Sequence, residues 1–230
     1  MINKYIVRLD KERLTLRKWL EQRKLGKPKI TKLDMLQAIS NSTQVISLDY
    51  VLNNKECIYI NYSLLEDNEV IEPYKLELSV LYEDDDIIAV DKKRGILVHS
   101  DGINSDTLLN AVVYYLKDKS DDSFIRPIHR IDYETSGVVV FAKNIMSYNY
   151  LSWQMEDQKI EKEYLAYVEG YLPNDGEINL YISRDRHNAK KFIGFPKENN
   201  NAKTIYHVLK HTNTRTLLSI IIVTGKPHQI

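Results

Sequence analysis

His129-Arg130-Ile131-Asp132-Tyr133-Glu134-Thr135-Ser136-Gly137 is the stretch around which the rest of the chain is organised. It lies between two apolar runs of β character, Phe124 to Ile131 and Val138 to Ala142. Val138, Val139, Val140 and Phe141 are β-branched or aromatic and read as a buried strand. Thr135, Ser136 and Gly137 are small residues of the kind that let a chain turn tightly before entering a strand. Asp132 is thereby held in a short, rigid connection between two strands, with the cation of Arg130 two positions upstream. A carboxylate fixed in this way suits chemistry on an anionic polymer. A capped turn on a sheet edge uses the same residues, since aspartate is common in turns, so spacing alone leaves both readings open.

The flanking sequence mixes strands and helices. Upstream, Leu78 to Tyr82 and Ile87 to Val90 are strand-like, separated by the charged turn Glu83-Asp84-Asp85-Asp86. A helix is predicted behind a cap at Ser105 or Asp106, with Leu108, Leu109, Val112, Val113 and Leu116 as its apolar positions. Downstream, residues 144–158 have helical spacing, and strands are predicted at 163–169, 177–182, 204–211 and 216–223. Strands before, between and after two helices imply an α+β core built on a large mixed or antiparallel sheet with flanking helices.

Ahead of this core, residues 1–62 read as a small basic module. Leu9, Leu14, Leu16, Trp19 and Leu20 have helical spacing within 8–25, a second short helix is predicted over 31–40, and short strands over 45–48 and 57–60. Residues 63–75, polar and acidic with Pro73, form the expected linker, and 76–230 the main domain. The formal net charge of +0 says little, but its distribution is uneven. Residues 1–32 hold eleven Lys or Arg against three Asp or Glu, a net of +8, whereas residues 66–91 hold one Lys against ten acids, a net of −9. A basic N-terminal face suits a polyanion, although a solvated lysine-rich helix accounts for the count equally well.

Hydrophobic content of 43% and charged content of 28% place the 230 residues among globular proteins rather than disordered ones. No apolar run approaches the length of a membrane span and the first residues lack a signal-peptide core, so no membrane partner is expected. Cys57, the single cysteine, excludes an intrachain disulfide and a cysteine-rich metal site, and points to a reducing cytoplasm.

The central stretch resembles the His-Arg-Leu-Asp-x-x-Thr-Ser-Gly signature of the RluA-type RNA pseudouridine synthases, with Ile131 in the Leu position. Three further blocks resemble the family in the same order: Gly95-Ile96-Leu97-Val98-His99, Lys162-Glu163-Tyr164-Leu165-Ala166-Tyr167-Val168-Glu169-Gly170, and Thr224-Gly225-Lys226-Pro227-His228-Gln229-Ile230. Together they cover about residues 80 to 230, and four blocks in order are specific. The N-terminal order of basic helices followed by small strands faintly resembles the RNA-binding module that many relatives carry. One departure is Lys93-Arg94 before Gly95, where relatives usually place a proline after a lysine.

The resemblance implies a pseudouridine-synthase-like core and isomerisation of a specific uridine in structured RNA, with ribosomal RNA favoured over transfer RNA. Asp132 takes the place of the catalytic carboxylate. Whether it attacks the sugar or the base, or removes a sugar proton, is left open. Lys226 occupies the basic position of the third block, where arginine is more usual and a bidentate fork is lost. Tyr164 aligns with the tyrosine that stacks on the target base, offering a flat ring and a hydroxyl with acid–base capacity. Arg130 is the candidate to fill the gap left by a flipped base and to hold phosphate. His129 is a candidate polar contact, a structural hydrogen bond being its simpler role. Arg184, Arg186, His187, Lys190 and Lys191 form a basic loop suited to tracking an RNA backbone.

No cofactor is implied. His207 and His211 fall in a strand-like stretch rather than forming a helical ligand pair, and 8 glycines include no dinucleotide or phosphate-loop pattern. Relatives run several tens of residues past the position of Ile230, so the main domain is expected to be C-terminally incomplete and to gain from a partner at its open edge. The competing reading is a non-catalytic RNA-binding remnant of the family.

Overall fold

Helices and antiparallel strands alternate along the chain in the α+β order read from the sequence. The computed structural model describes residues 2–9, 13–62, 65, 71–102, 104–118, 124–184, 192–196, 201–226 and 229–230. Two compact units divide the chain, Met1–Met155 and Glu156–Ile230.

The first unit opens with β1 (Ile2–Ile6), β2 (Leu14–Thr15), α1 (Leu16–Gln22), α2 (Lys27–Met35), β3 (Ile39–Asn41), β4 (Val51–Leu52) and β5 (Cys57–Asn61). β5 is the middle strand of an antiparallel sheet β1-β5-β3, and β2 pairs with β4. The first helix is shorter than its apolar spacing suggests, because Leu14 and Thr15 are drawn into pairing with β4. Thr15 then caps α1, its hydroxyl accepting from the Lys18 N–H at 3.4 Å. α2 begins earlier than predicted because Pro28 suits a first turn, where its missing N–H has no intrahelical partner to lose. Trp19, Leu20, Leu33, Ile58 and Ile60 pack into one buried cluster, joined by Ile145 and Met146 from much later in the chain.

β6 (Val80–Glu83), β7 (Ile87–Lys92), α3 (Leu108–Asp118), β8 (Arg126–Pro127), β9 (Gly137–Ala142) and α4 (Ile145–Glu156) complete this unit. The strands form a second antiparallel sheet in the order β6-β7-β9-β8. Asp84 closes the acidic turn, its carboxylate accepting the N–H groups of Asp86 and Ile87, both at 2.8 Å. Thr107, rather than Ser105 or Asp106, caps α3 by accepting from the Asn110 N–H at 3.4 Å. The apolar run 124–131 yields only the two residues of β8. Ile128 still donates to the Val140 carbonyl at 3.0 Å, but the Val140 N–H is then taken by the ring Nε2 of His129 at 3.2 Å. A side chain replaces the next ladder carbonyl, and the backbone leaves the sheet.

The second unit consists of β10 (Glu163–Glu169), β11 (Gly176–Arg184), β12 (Phe192–Phe195), β13 (Ala202–His211) and β14 (Arg215–Ile222). They form one antiparallel sheet in the order β10-β14-β13-β11-β12. Strict alternation on β10 puts Tyr164, Ala166 and Val168 on one face, packed with Leu218, Ile220 and Ile222 of β14. That face borders an apolar cavity of about 580 Å³.

Candidate active site

Asp132 sits in the connection 128–136 that leads into β9. Its carbonyl accepts from the Thr135 N–H at 3.0 Å, making a tight turn with Tyr133 and Glu134 at the corner. The aspartate is half-buried, whereas Arg130, Tyr133 and Glu134 are exposed.

The turn is pinned from β7. Lys92, the last residue of that strand, lies opposite Gly137, the first of β9, so the segment leaving β7 runs alongside the turn. Gly95 adopts φ +81°, a left-handed conformation that glycine takes without strain, and its N–H donates to the Tyr133 carbonyl at 2.8 Å. The Lys92 side chain is fully buried, at 0% exposure. Its ammonium donates to the carbonyls of Ile96 at 2.8 Å, Lys93 at 3.1 Å and Tyr133 at 3.3 Å. Burial pulls this ammonium below its ordinary value of 10.5, while the negative charges of Asp132 and Glu134 act in the opposite direction. Three carbonyl dipoles and a neighbouring carboxylate thus stabilise a cation that the interior disfavours.

Lys92 was not among the residues singled out from sequence. Its signal was the position of a lysine at the end of the apolar strand Ile87-Ile88-Ala89-Val90, directly before the Lys93-Arg94 departure. Of the sequence candidates, His129, Arg130 and Asp132 are brought into one connection. Arg130 is exposed and, among the described residues, makes no hydrogen bond or ion pair. His129 has the structural role noted above, accepting a strand N–H.

Tyr164 and Lys226 belong to the second unit. Tyr164 faces Ile220 and Glu163 faces Ile221, so the start of β10 lies beside the end of β14, from which the Lys226 loop departs. Gln229 fixes that loop. Its carbonyl oxygen accepts from the Lys226 N–H at 3.0 Å and the Thr224 hydroxyl at 3.1 Å, and its amide donates to Lys203 and Thr204 of β13. Arg184 ends β11. Arg186, His187, Lys190 and Lys191 lie outside the described residues, as do Pro227 and His228.

The turn presents two carboxylates, half-buried Asp132 and exposed Glu134, with exposed Arg130 two positions before the first. The chain belongs to the family described as RNA pseudouridylate synthase, whose sequence pattern matches residues 86–230. It is 35% identical over 170 residues to the Borreliella burgdorferi protein named ribosomal large subunit pseudouridine synthase D, a match covering 70% of this chain and 52% of that protein. It is 34% identical over 197 residues to the Buchnera aphidicola protein of the same name, covering 85% of this chain and 62% of the other. An uncharacterized RNA pseudouridine synthase of Aquifex aeolicus is 40% identical over 167 residues, covering 70% of this chain and 52% of its own length. The chain spans about half the length of the Borreliella and Aquifex relatives. Human RNA pseudouridylate synthase domain containing 1 shares the fold, with a TM-score of 0.56 at 20% identity, over 71% of this chain and 65% of that one.

Proposed function

We propose that this chain isomerises a uridine of ribosomal RNA to pseudouridine, with Asp132 as the catalytic carboxylate. The observation that carries the reading is the pinned turn. The family signature coincides with a turn that the Lys92 ammonium and the Gly95 N–H hold through the Tyr133 carbonyl. A carboxylate that must meet one atom of a flipped nucleotide needs such a fixed position. Tyr164 is assigned to stack on the uracil, Lys226 to supply a cation for the carboxylate, and Arg130 to fill the gap in the RNA. Arg184, Arg186, Lys190 and Lys191 are assigned to the RNA backbone.

Ribosomal RNA is favoured over transfer RNA by the names of the Borreliella and Buchnera relatives. No described helix is long and apolar enough to cross a membrane. The cytoplasm, where ribosomal RNA is made in bacteria, is the proposed location. A small RNA-binding module at 1–62, a linker at 63–75 and a catalytic domain at 76–230 are supported by two facts: the first sheet closes at Asn61, and the family match begins at residue 86.

The test is pseudouridine formation on mixed ribosomal and transfer RNA, comparing the chain with Asp132→Asn. Product from the chain alone supports the reading, and mapping it names the uridine. Equal product from both overturns the role of Asp132. No product from either, with RNA still bound, favours the binding-remnant alternative.

A further inference from the structure

The pinned turn carries a feature that the isomerisation itself does not use. Lys93 and Arg94 follow the buried Lys92 and are both exposed. Their backbone is not free to wander. The Lys92 ammonium is bonded to the carbonyls on both sides of this step, Lys93 at 3.1 Å and Ile96 at 2.8 Å, and Gly95 is bonded to Tyr133 at 2.8 Å. Two cations are therefore presented on a fixed loop directly against the Asp132 turn. Arg94 is ion-paired with Glu134 of that turn, and the two side chains are 75% and 62% exposed. Tyr133, between Asp132 and Glu134, is 50% exposed, and its hydroxyl lies 3.8 Å from where a Cβ on Gly95 would sit. The hydroxyl tip of an exposed aromatic side chain thus lies beside the basic loop at Gly95.

We infer that Lys93, Arg94 and Tyr133 form a platform for the RNA nucleotides flanking the target, with Glu134 as a built-in counter-ion that Arg94 exchanges for phosphate. The inference rests on the proposed RNA substrate. A basic loop interleaved with an exposed aromatic ring is the combination that recognises unpaired RNA: charge for the backbone, a flat face for a base. Glu134 holds Arg94 while RNA is absent, and an ion pair this exposed is weak, so a phosphate displaces it readily. Because the loop is already ordered, binding requires little loss of backbone freedom.

The test measures binding of the full chain to a fluorescein-labelled ribosomal RNA hairpin with a uridine in its loop, across a salt series, alongside pseudouridine formation by the unmodified chain. Each phosphate contact on single-stranded RNA contributes a slope of about 0.7 in log affinity against log salt, or about fivefold at 0.1 M relative to 1 M. Lys93→Gln with Arg94→Gln should therefore lower the slope by about 1.4 and weaken binding by about 25-fold at 0.1 M. Tyr133→Leu should weaken binding by about fivefold or more and leave the slope unchanged, since stacking releases no counter-ions. Glu134→Gln should tighten binding. Lys117→Gln, an exposed cation on α3, serves as the reference. An unchanged urea midpoint for each variant establishes that the fold is intact.

If the chain forms pseudouridine yet the double variant binds with the reference affinity and slope, the platform is overturned and the proposed function stands. Weakened binding with a lowered slope supports the platform even if no pseudouridine forms, and in that case the isomerase reading fails by itself. Weaker binding by Glu134→Gln overturns the exchange.

Discussion

Replacing Lys92 by methionine keeps the length and apolar stem of the side chain and removes only the ammonium. Three carbonyls then lose a charged donor. The Tyr133 carbonyl retains the Gly95 N–H at 2.8 Å, so the Lys93 and Ile96 carbonyls are the two left without this partner. A buried acceptor left unsatisfied costs about 1–3 kcal/mol, giving about 2–6 kcal/mol for the pair. Lys93 is exposed, so water replaces its lost donor and keeps that carbonyl at the low end. Removing a cation that burial disfavours returns part of the remainder. The expected net loss is about 2–3 kcal/mol, a large share of the stability of an ordinary domain. Urea unfolding of both proteins between pH 7 and 10.5 tests the magnitude and the sign together.

Burial depresses the folded-state value of Lys92 below 10.5, so at alkaline pH the unfolded chain holds more protons than the folded one. The penalty that burial places on the charged lysine is full below the folded value and is relieved as pH rises to 10.5. The gap between native protein and Lys92→Met should therefore widen as pH rises towards 10.5. Equal urea midpoints at pH 7 would refute the assignment of Lys92 as the internal anchor of the turn, and a gap that narrows with rising pH would refute the lowered folded-state value.

The second unit supplies the remaining predictions. A Cβ at Gly176 would lie 2.5 Å from the Tyr206 hydroxyl and 2.8 Å from its ring carbon, so Gly176→Ala should lose about 1–3 kcal/mol in urea unfolding. In a Tyr206→Ala background Gly176→Ala should cost less, and an undiminished midpoint for Gly176→Ala alone would contradict the close approach. The Val208 N–H at 2.7 Å and His207 at 3.0 Å hold the Asp175 carboxyl below its ordinary 3.8. Its contribution is intact above pH 3.8 and disappears as pH falls through the lower folded value, so Asp175→Asn should flatten the acid limb of the melting temperature, and an unaltered limb would sink this. Thr216 is fully buried, donates to the Gly170 carbonyl at 2.8 Å and accepts from the Leu172 N–H at 3.2 Å. Thr216→Val should lose about 1–3 kcal/mol, with calorimetry as the measure.

What was legible in the sequence depended on how local its cause was. β10 matches its predicted span because Glu163 to Glu169 alternates strictly over seven residues. The turn at Asp84 was legible because aspartate side chains close turns on their own backbone. β2 was not, because two residues make a strand only when β4 arrives to pair with them. β8 was overextended because nothing local announces that the His129 ring will take the Val140 N–H. β12 was missed because four residues, Phe192 to Phe195, follow a polar basic stretch and offer too short a pattern. At the candidate site, the Asp132 signature was legible and Lys92 was not. Composition marks lysine as a surface residue, and only the register of β7 against β9 shows it buried.

That hidden position matters for chemistry on a polyanion. An exposed cation near Asp132 is screened by salt and, when RNA arrives, is claimed by phosphate. Arg130 and Arg94 are both exposed and open to that competition. The Lys92 ammonium is held by three carbonyls beneath the turn and is buried from solvent. Under the proposed function its field at Asp132 should therefore persist when RNA binds, and water exclusion should strengthen it. Under the proposed reaction, the exposed arginines serve binding while the buried lysine serves the carboxylate. The two kinds of variant should separate accordingly: Arg94→Gln should lose affinity in a salt-dependent manner with a lowered salt slope, and Lys92→Met should lose turnover with its salt slope preserved. A Lys92→Met protein that turns over at the native rate, or whose salt slope falls like that of Arg94→Gln, would collapse this division of labour.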